Sequence, residues 1–491
     1  MVTNTRLVFQ ITLYFILFIL FFVFGGCNDG TSEKKNGESS ILFESVTVID
    51  AKFGERQNLN VLISGNKIIK VSDRPIENSS NCKVINGKGK YLIPGLWDAH
   101  VHITFTPGLE QAMFPLFLGN GITSIRDTGG LITEVLPWKE KSLQEPNSSP
   151  RLFIAGPLLD GHPNVYDGSP GRPEISVDLS SEKEAIEMVN YLASSGVDLI
   201  KSYEMLSPEM FMTILAAAKK HNLPVTGHVP LSVDVIEASE AGLRSMEHLR
   251  NLEMSCSSDF DSLLQARKQM LAKGKDDLGG ALRSEIHSSQ RMHAFRTFDE
   301  QRASKVLSAL EKNNTWQVPT AALSTGGMNR LFEKEEWKKN FEFLPDMIKS
   351  KWIEAAKKAT ENQSSEISIA HGEWVLMMVR KMKDYKIKVM AGTDTPIGFL
   401  TPGFSLHKEL EMLVKGGMLP LEAIESATLL PAKYFKVQDS IGTIEKNMIA
   451  DLVLLNANPL IDITNTQKID AVVRNGKFYN RKALDSLLNS N

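Results

Sequence analysis

His100 and His102 close the apolar run Tyr91-Leu-Ile-Pro-Gly-Leu-Trp-Asp-Ala-His-Val-His102, which reads as a buried strand. In a strand, residues i and i+2 project to the same side. Both imidazoles therefore aim at one point just beyond the strand end, an arrangement suited to chelating a divalent metal. A lone His-x-His pair is also a common surface pattern, so its meaning depends on partners. Candidate partners end later apolar runs: Lys201 in Val-Asp-Leu-Ile-Lys-Ser-Tyr203, His228 in Pro-Val-Thr-Gly-His-Val229, His248 in Ser-Met-Glu-His248, and Asp394 in Val-Met-Ala-Gly-Thr-Asp394. The chain has 10 histidines; that four of them end apolar runs is not what a solvated face produces. Imidazole and carboxylate donors without thiolate favour Zn²⁺ or a similar first-row ion.

The elements needed to position these residues alternate β and α. Eight strands are expected to end near His102, Asp127, Pro157, Tyr203, Val229, His248, Thr320 and Asp394. Amphipathic stretches such as Ser181 to Ser194 and Pro208 to His221 separate them. Eight such units over residues 94–439 predict an α/β fold, a (β/α)8 TIM barrel, whose active sites lie at the C-terminal strand ends. Antiparallel β patterns with turns at Gly65-Asn66 and Asn475-Gly476 occupy residues 41–93 and 440–483. They are expected to join as one small β-sandwich built from both chain ends. The stretch between His248 and Asp394 is about twice what two ordinary units need. The excess lies in charge-rich helical blocks near 258–313 and 333–383, expected at the barrel mouth as a lid or dimer surface, or else as a solvated hairpin with no direct role.

The ordered set of motifs resembles the amidohydrolase superfamily, with His-x-His on the first barrel strand, lysine on the fourth, histidines on the fifth and sixth and aspartate on the eighth. Closing segments at Ala427–Lys433, Gly442-Thr-Ile and Ile449–Leu454 resemble its imidazolonepropionase-like and Xaa-Pro dipeptidase-like branches. The resemblance covers roughly residues 41–480. It implies two divalent metal ions, with His100, His102 and Asp394 on one and His228 and His248 on the other. It further implies a CO₂-derived carbamate on Lys201 bridging them, which requires burial and nearby cations to depress the amine pKa. The expected reaction is hydrolysis of a C–N amide bond in a small molecule: an N-acyl amino acid, a dipeptide or a cyclic amide. A metal-bridging hydroxide would attack, with Asp394 shuttling the proton to the leaving nitrogen. His162 resembles a substrate-contacting histidine of the dipeptidase-like branch, and Tyr203 is placed to hydrogen-bond an oxyanion. A deaminase of the same fold and a catalytically silent ligand-binding relative are the alternatives. Lys201 argues against the first, and the complete ligand set against the second.

Other residues are read as structural. Asp127 caps the loop after the second strand, His407 is structural or supports the site from behind, and His221 and His287 lie on helix surfaces. No paired arginines for a substrate carboxylate are apparent.

A net charge of −3 and 42% hydrophobic content describe an ordinary folded chain, and no basic stripe with interleaved aromatics suggests nucleic acid. At the N-terminus, Arg6 precedes the apolar stretch Leu7–Phe24, followed by Gly25-Gly26-Cys27. This resembles a bacterial lipoprotein signal: residues 1–26 would be removed, Cys27 lipidated, and residues 27–40 left as a polar tether to the membrane of the cell envelope. Phe24 departs from the usual residue three places before the cysteine. An uncleaved anchor and plain secretion are the alternatives. Cys82 and Cys256 are expected as unpaired thiols, and a homo-oligomer is compatible with the sequence.

Overall fold

The computed structural model describes residues 40–77 and 80–490. Cys27, the apolar N-terminal stretch and nearly all of the tether lie outside the described residues. Among the described residues, no helix is long and apolar enough to cross a membrane, and Cys82 and Cys256 are free thiols.

Strands from both ends of the chain share one sheet. β1 (Ser40–Asp50), β2 (Gly54–Ser64), β3 (Lys67–Ser72), β4 (Cys82–Asn86) and β5 (Tyr91–Pro94) come from the N-terminal part. β15 (Leu452–Leu455), β16 (Ile469–Arg474) and β17 (Lys477–Asn480) come from the C-terminal part. The two sets join where β15 runs antiparallel to β5. The sheet order is β17-β16-β15-β5-β1-β2-β3, with β4 on β1. Phe43 of β1 and Phe478 of β17 lie four strands apart in that order, yet their ring centroids are 6.3 Å apart. The sheet therefore folds back on itself as a sandwich around Ile41, Phe43, Val48, Ile63, Leu454 and Val473. The Asn475-Gly476 hairpin turn has positive φ at both residues, 50° and 83°, as a two-residue turn of this kind requires.

Between these halves lies the TIM barrel. β6 (Leu96–Val101), β7 (Ile122–Asp127) and β8 (Arg151–Ile154) form one parallel run. β9 (Leu158–Gly161) follows β8 in the chain and lies between β10 (Ser176–Leu179) and the next barrel strand, pairing in parallel with both. β11 (Ile200–Ser202), β12 (Val225–Gly227), β13 (Ser245–Glu247) and β14 (Trp316–Val318) follow in parallel. The eighth position is an extended segment, Ile387 to Thr395, rather than a regular strand. Met390 N–H donates to Gln317 O at 2.9 Å on the β14 side, and Ala99 N–H donates to Ala391 O at 2.9 Å on the β6 side. The barrel closes through this segment. Apolar faces of the surrounding helices pack on its outside in one continuous core. The helix Glu182–Ser194 begins at a Ser181 cap and Pro208–Lys220 at a Ser207 cap, the residue types that satisfy free N–H groups at a helix start.

Candidate active site

Each ligand candidate sits where a barrel strand ends. His100 and His102 lie at the end of β6 and just past it, Lys201 within β11, and His228 and His248 immediately after β12 and β13. Two glycines make the close approaches possible. At Gly227 (φ 144°) a Cβ would meet Ser202 O at 2.2 Å, and at Gly392 one would lie 2.8 Å from His100 Cβ. Any side chain at either position would push a ligand-bearing segment away from its neighbour. Asp394 itself adopts a left-handed backbone, φ 65°, and its N–H donates to His100 O at 2.8 Å. Asp98 pins the same turn by accepting from Thr393 N at 3.0 Å and from Thr393 Oγ1 at 2.7 Å.

These six residues and Tyr203 line one buried cavity of about 20 Å³, with Phe105, Leu158, Tyr166, Ile175 and Ile397 as apolar walls. His100 Nε2 and His102 Nε2 are 3.3 Å apart, and each is 3.1 Å from Asp394 Oδ1. Asp394 Oδ1 has no hydrogen-bond donor. His102 Nδ1–H donates to Gly129 O at 2.9 Å, which leaves a lone pair on Nε2 facing the others. Three converging electron-rich atoms in a buried pocket repel each other unless a metal cation or a proton sits between them. These three residues form the compact metal-competent group among the described residues.

His228 and His248 are held from behind in the same sense. His228 Nδ1–H donates to Glu204 Oε1 at 2.6 Å. His248 Nδ1–H donates to Thr320 Oγ1 at 2.7 Å, and that hydroxyl in turn donates to Pro319 O at 2.8 Å. The two rings meet edge to face, centroids 5.0 Å apart, and Tyr203 stacks on His228 at 4.4 Å. Burial lowers the pKa of His100 to about 4 and of His228 to about 3, and takes His248 well below its ordinary range. Burial also acts to lower His102, but the Asp394 carboxylate outweighs it and the net direction is upward. Burial acts to raise Asp394, yet the neighbouring His100 and His248 hold it well below the usual carboxylate range. Neutral imidazoles and an ionised carboxylate are the forms that bind metal.

Lys201 Nζ is buried and meets Glu247 Oε2. Burial depresses its amine pKa. Glu247 also accepts from the buried Arg126, at 3.1 Å, and from Thr226. Burial acts to raise Tyr203's phenol, and its pKa ends well above the ordinary value, so the hydroxyl keeps its proton.

His162 does not line this cavity. It is exposed, bonds Asp178 Oδ2 at 2.7 Å, and borders a separate cavity of about 520 Å³ with Met205, Leu206, Lys268 and Leu282. It lies just past the end of β9, on the connection that returns to β10, which pairs with β9 in parallel. Asp127 accepts from Ile103 N at 2.7 Å and Gly129 N at 3.0 Å, a loop cap. His407 is buried between Thr466 and Asn120 O, and His221 is exposed against Asn190.

His287 departs from its surface reading. It is 5% exposed, and its Nε2 lies 2.5 Å from Glu204 Oε2. The helix Gly279–Arg296, part of the first charge-rich block, brings it there together with Arg283, whose Nε donates to Glu204 Oε1 at 2.8 Å. At this point the block supports His228 through Glu204. Sequence reading missed Asp98, Arg126, Glu204, Glu247 and Thr320. The available signal was a polar residue beside each ligand motif, as in Trp-Asp98-Ala-His, Tyr-Glu204 and Met-Glu247-His.

The amidohydrolase family model matches residues 91–479. An ochratoxinase of Aspergillus niger is 24% identical over 447 residues, covering 79% of this chain and 75% of that protein. An imidazolonepropionase of Alkaliphilus oremlandii is 22% identical over 448 residues, covering 86% and 90%. A crystal structure of a Xaa-Pro dipeptidase with methionine bound in its active site superposes with a TM-score of 0.64 at 20% identity, covering 90% of this chain and 100% of that one. The chain belongs to the amidohydrolase family and is a hydrolase of carbon–nitrogen bonds.

Proposed function

We propose that this enzyme hydrolyses the amide bond of an N-acyl amino acid, a dipeptide or a cyclic amide, using two divalent ions, zinc by donor chemistry. The observation that carries this reading is the convergence of His100 Nε2, His102 Nε2 and the donorless Asp394 Oδ1 on one point. His100, His102 and Asp394 would hold one ion, and His228 and His248 the second, with a Lys201 carbamate between them. Bound there, such ions acidify water and polarise a substrate carbonyl. Asp394 faces the first pair with one oxygen and has its other 3.7 Å from His248 Nε2, so it can accept the proton of the attacking water. As the water oxygen bonds to carbon and the C–N bond breaks, the same carboxyl delivers that proton to the leaving nitrogen. Tyr203, protonated and on the cavity wall, can donate to the oxygen that becomes negative. The methionine-bound dipeptidase neighbour supports an amino acid as one product.

Forming a carbamate requires Lys201 to release Glu247, whose charge Arg126 still balances. That pairing favours a second reading, a single ion on His100, His102 and Asp394, as in a deaminase. Metal analysis of the wild type and Lys201→Ala separates them. Two ions falling to one or none, with hydrolysis of N-acyl amino acids, dipeptides, hydantoins or lactones in a screen, supports the first. One ion indifferent to the substitution, with ammonia released, supports the second. We further propose that Cys27 anchors the enzyme in the cell envelope; labelled fatty acid should enter the wild type and not Cys27→Ala.

A further inference from the structure

The catalytic cavity has too little room for any of the proposed substrates. Its volume of about 20 Å³ takes roughly one water-sized group, whereas small-molecule sites occupy about 300 Å³ or more. Most of a substrate must therefore lie beyond its walls. Three of those walls, Leu158, Ile175 and Tyr203, belong to one apolar cluster that also contains Met205 and Leu282. Met205 and Leu282 line the second cavity, of about 520 Å³. A single packed cluster thus separates the two spaces. The Arg283 guanidinium, on the residue after Leu282, stands 5.9 Å from the centre of the Tyr203 ring. Both cavities also draw on the same two strand ends. β9 supplies Leu158 to one and leads to His162 in the other, and β11 leads to Tyr203 in one and Met205 in the other.

The second cavity suits an apolar guest. Leu179, Met205, Leu206, Met210, Leu271 and Leu282 line it, and its ionisable lining residues among those described, His162 and Lys268, are both exposed. A charged group seated inside would lose its hydration without a buried partner, whereas a hydrocarbon chain gains with every methylene it buries. The first charge-rich block supplies one side, with Leu271 and Ala272 from the helix Phe260–Lys273 and Leu282 from Gly279–Arg296. The backbone of the dividing wall is pinned, because Asp160 accepts from Val165 N at 2.9 Å and from Met205 N at 2.7 Å. The Met205 side chain, unbranched and adaptable, is the part of the wall free to turn aside.

We infer that the second cavity is an acyl subsite: it receives a long apolar acyl chain that passes the wall at Met205 while its carbonyl lies among the metal ligands. The inference rests on the amide-hydrolase reading and narrows the substrate class to amino acids N-acylated by medium- or long-chain fatty acids. A dipeptide side chain or a small cyclic amide is too short to cross the wall and fill a space of that size; an acyl chain does both.

The test is equilibrium binding to the metal-loaded full-length protein, independent of turnover. N-methylsulfonyl-, N-octylsulfonyl- and N-dodecylsulfonyl-L-alanine, in which an S–N bond replaces the amide, are compared by calorimetry. The octyl and dodecyl compounds should bind about 100-fold more tightly than the methyl compound. Ala272→Trp and Ser180→Trp each place an indole in the second cavity from an exposed lining position, and each should collapse that ratio. Circular dichroism establishes that the variants are folded; should one fail to fold, the other decides. Equal binding of short and long compounds by the wild type overturns the inference. So does a ratio that survives in a folded tryptophan variant, because the chain then lies elsewhere on the protein. Failure of the whole amide screen, with the ratio present and lost in the variants, would instead remove the hydrolysis reading and leave the apolar site standing.

Discussion

The two histidine pairs of this site reach the same cavity by different physics. His100 and His102 are aimed by the period of a single strand, and the support behind them is thin: a backbone carbonyl for His102, and no partner on His100 Nδ1. His228 and His248 come from separate strands and are each fixed by a distant side chain. His228 leans on a buried carboxylate that Arg283 and His287 hold from an inserted helix. His248 leans on a neutral chain: Thr320 accepts from it, and the segment just beyond is clamped by Glu409, which accepts from Ala322 N at 2.7 Å. Strand geometry alone can place a converging pair. Bringing a second pair onto the same point takes long-range polar construction, charged on one side and neutral on the other.

The largest effect expected is at the residue shared by both pairs. Asp394→Asn keeps the shape but removes the charge and the proton acceptor. It should lower kcat by about 10³- to 10⁴-fold, read by steady-state kinetics alongside metal content. A smaller loss, with metal content unchanged, would mean that another group moves the proton.

The backing groups should rank next, in a definite order. Glu204→Gln deprives His228 of its charged acceptor and leaves Arg283 and His287 without a counter-charge. Metal affinity should fall about 10- to 100-fold, and stability by about 3 kcal/mol or more, since one partner of a buried charged set is gone. Thr320→Val removes a neutral acceptor and should cost less in both. Competition with a metal chelator and thermal denaturation give the two readouts. Equal effects from the two variants would erase the distinction between charged and neutral backing.

What the sequence shows and what it hides follow the same division. Strand-end cavity residues are legible because a short apolar run and its terminal residue lie side by side in the chain. The eight strand ends, the join of both termini in one sheet and the four site histidines are of this kind. Glu204 with His287, Lys201 with Glu247 and Arg126 with Glu247 are separated by 83, 46 and 121 residues. No periodicity reports such pairings. The helical pattern around His287 gave no direction for its ring, because a charge-rich helix offers no apolar stripe to orient it; buried ion pairs replace the stripe. His162 failed for a related reason. It follows an apolar run, but it lies past the end of β9, and Asp178 of the neighbouring strand β10 takes the imidazole.

The smallest effect tests the neutral side of the comparison. Burial raises the carboxyl of Glu409 to about 8, so at neutral pH it is largely protonated and clamps the segment after Thr320 without a charge. A group whose pKa is higher folded than unfolded contributes stability that is fully present below its unfolded pKa, near 4.5, and is lost as pH rises through its folded pKa, near 8. Glu409→Gln keeps an acceptor oxygen for Ala322 N–H and cannot ionise. Denaturation midpoints of wild type and variant should therefore nearly coincide at pH 5, and the variant should be the more stable by a few kcal/mol at pH 9. Asp160, raised to about 7 by burial, weakens both proteins alike, whereas Asp98, also raised to about 7, repels the ionised Glu409, so the difference between the curves reports Glu409 together with its coupling to Asp98. A gap that stays constant from pH 5 to 9 would mean that the carboxyl is already ionised in the fold, and that His248 is backed by charge just as His228 is.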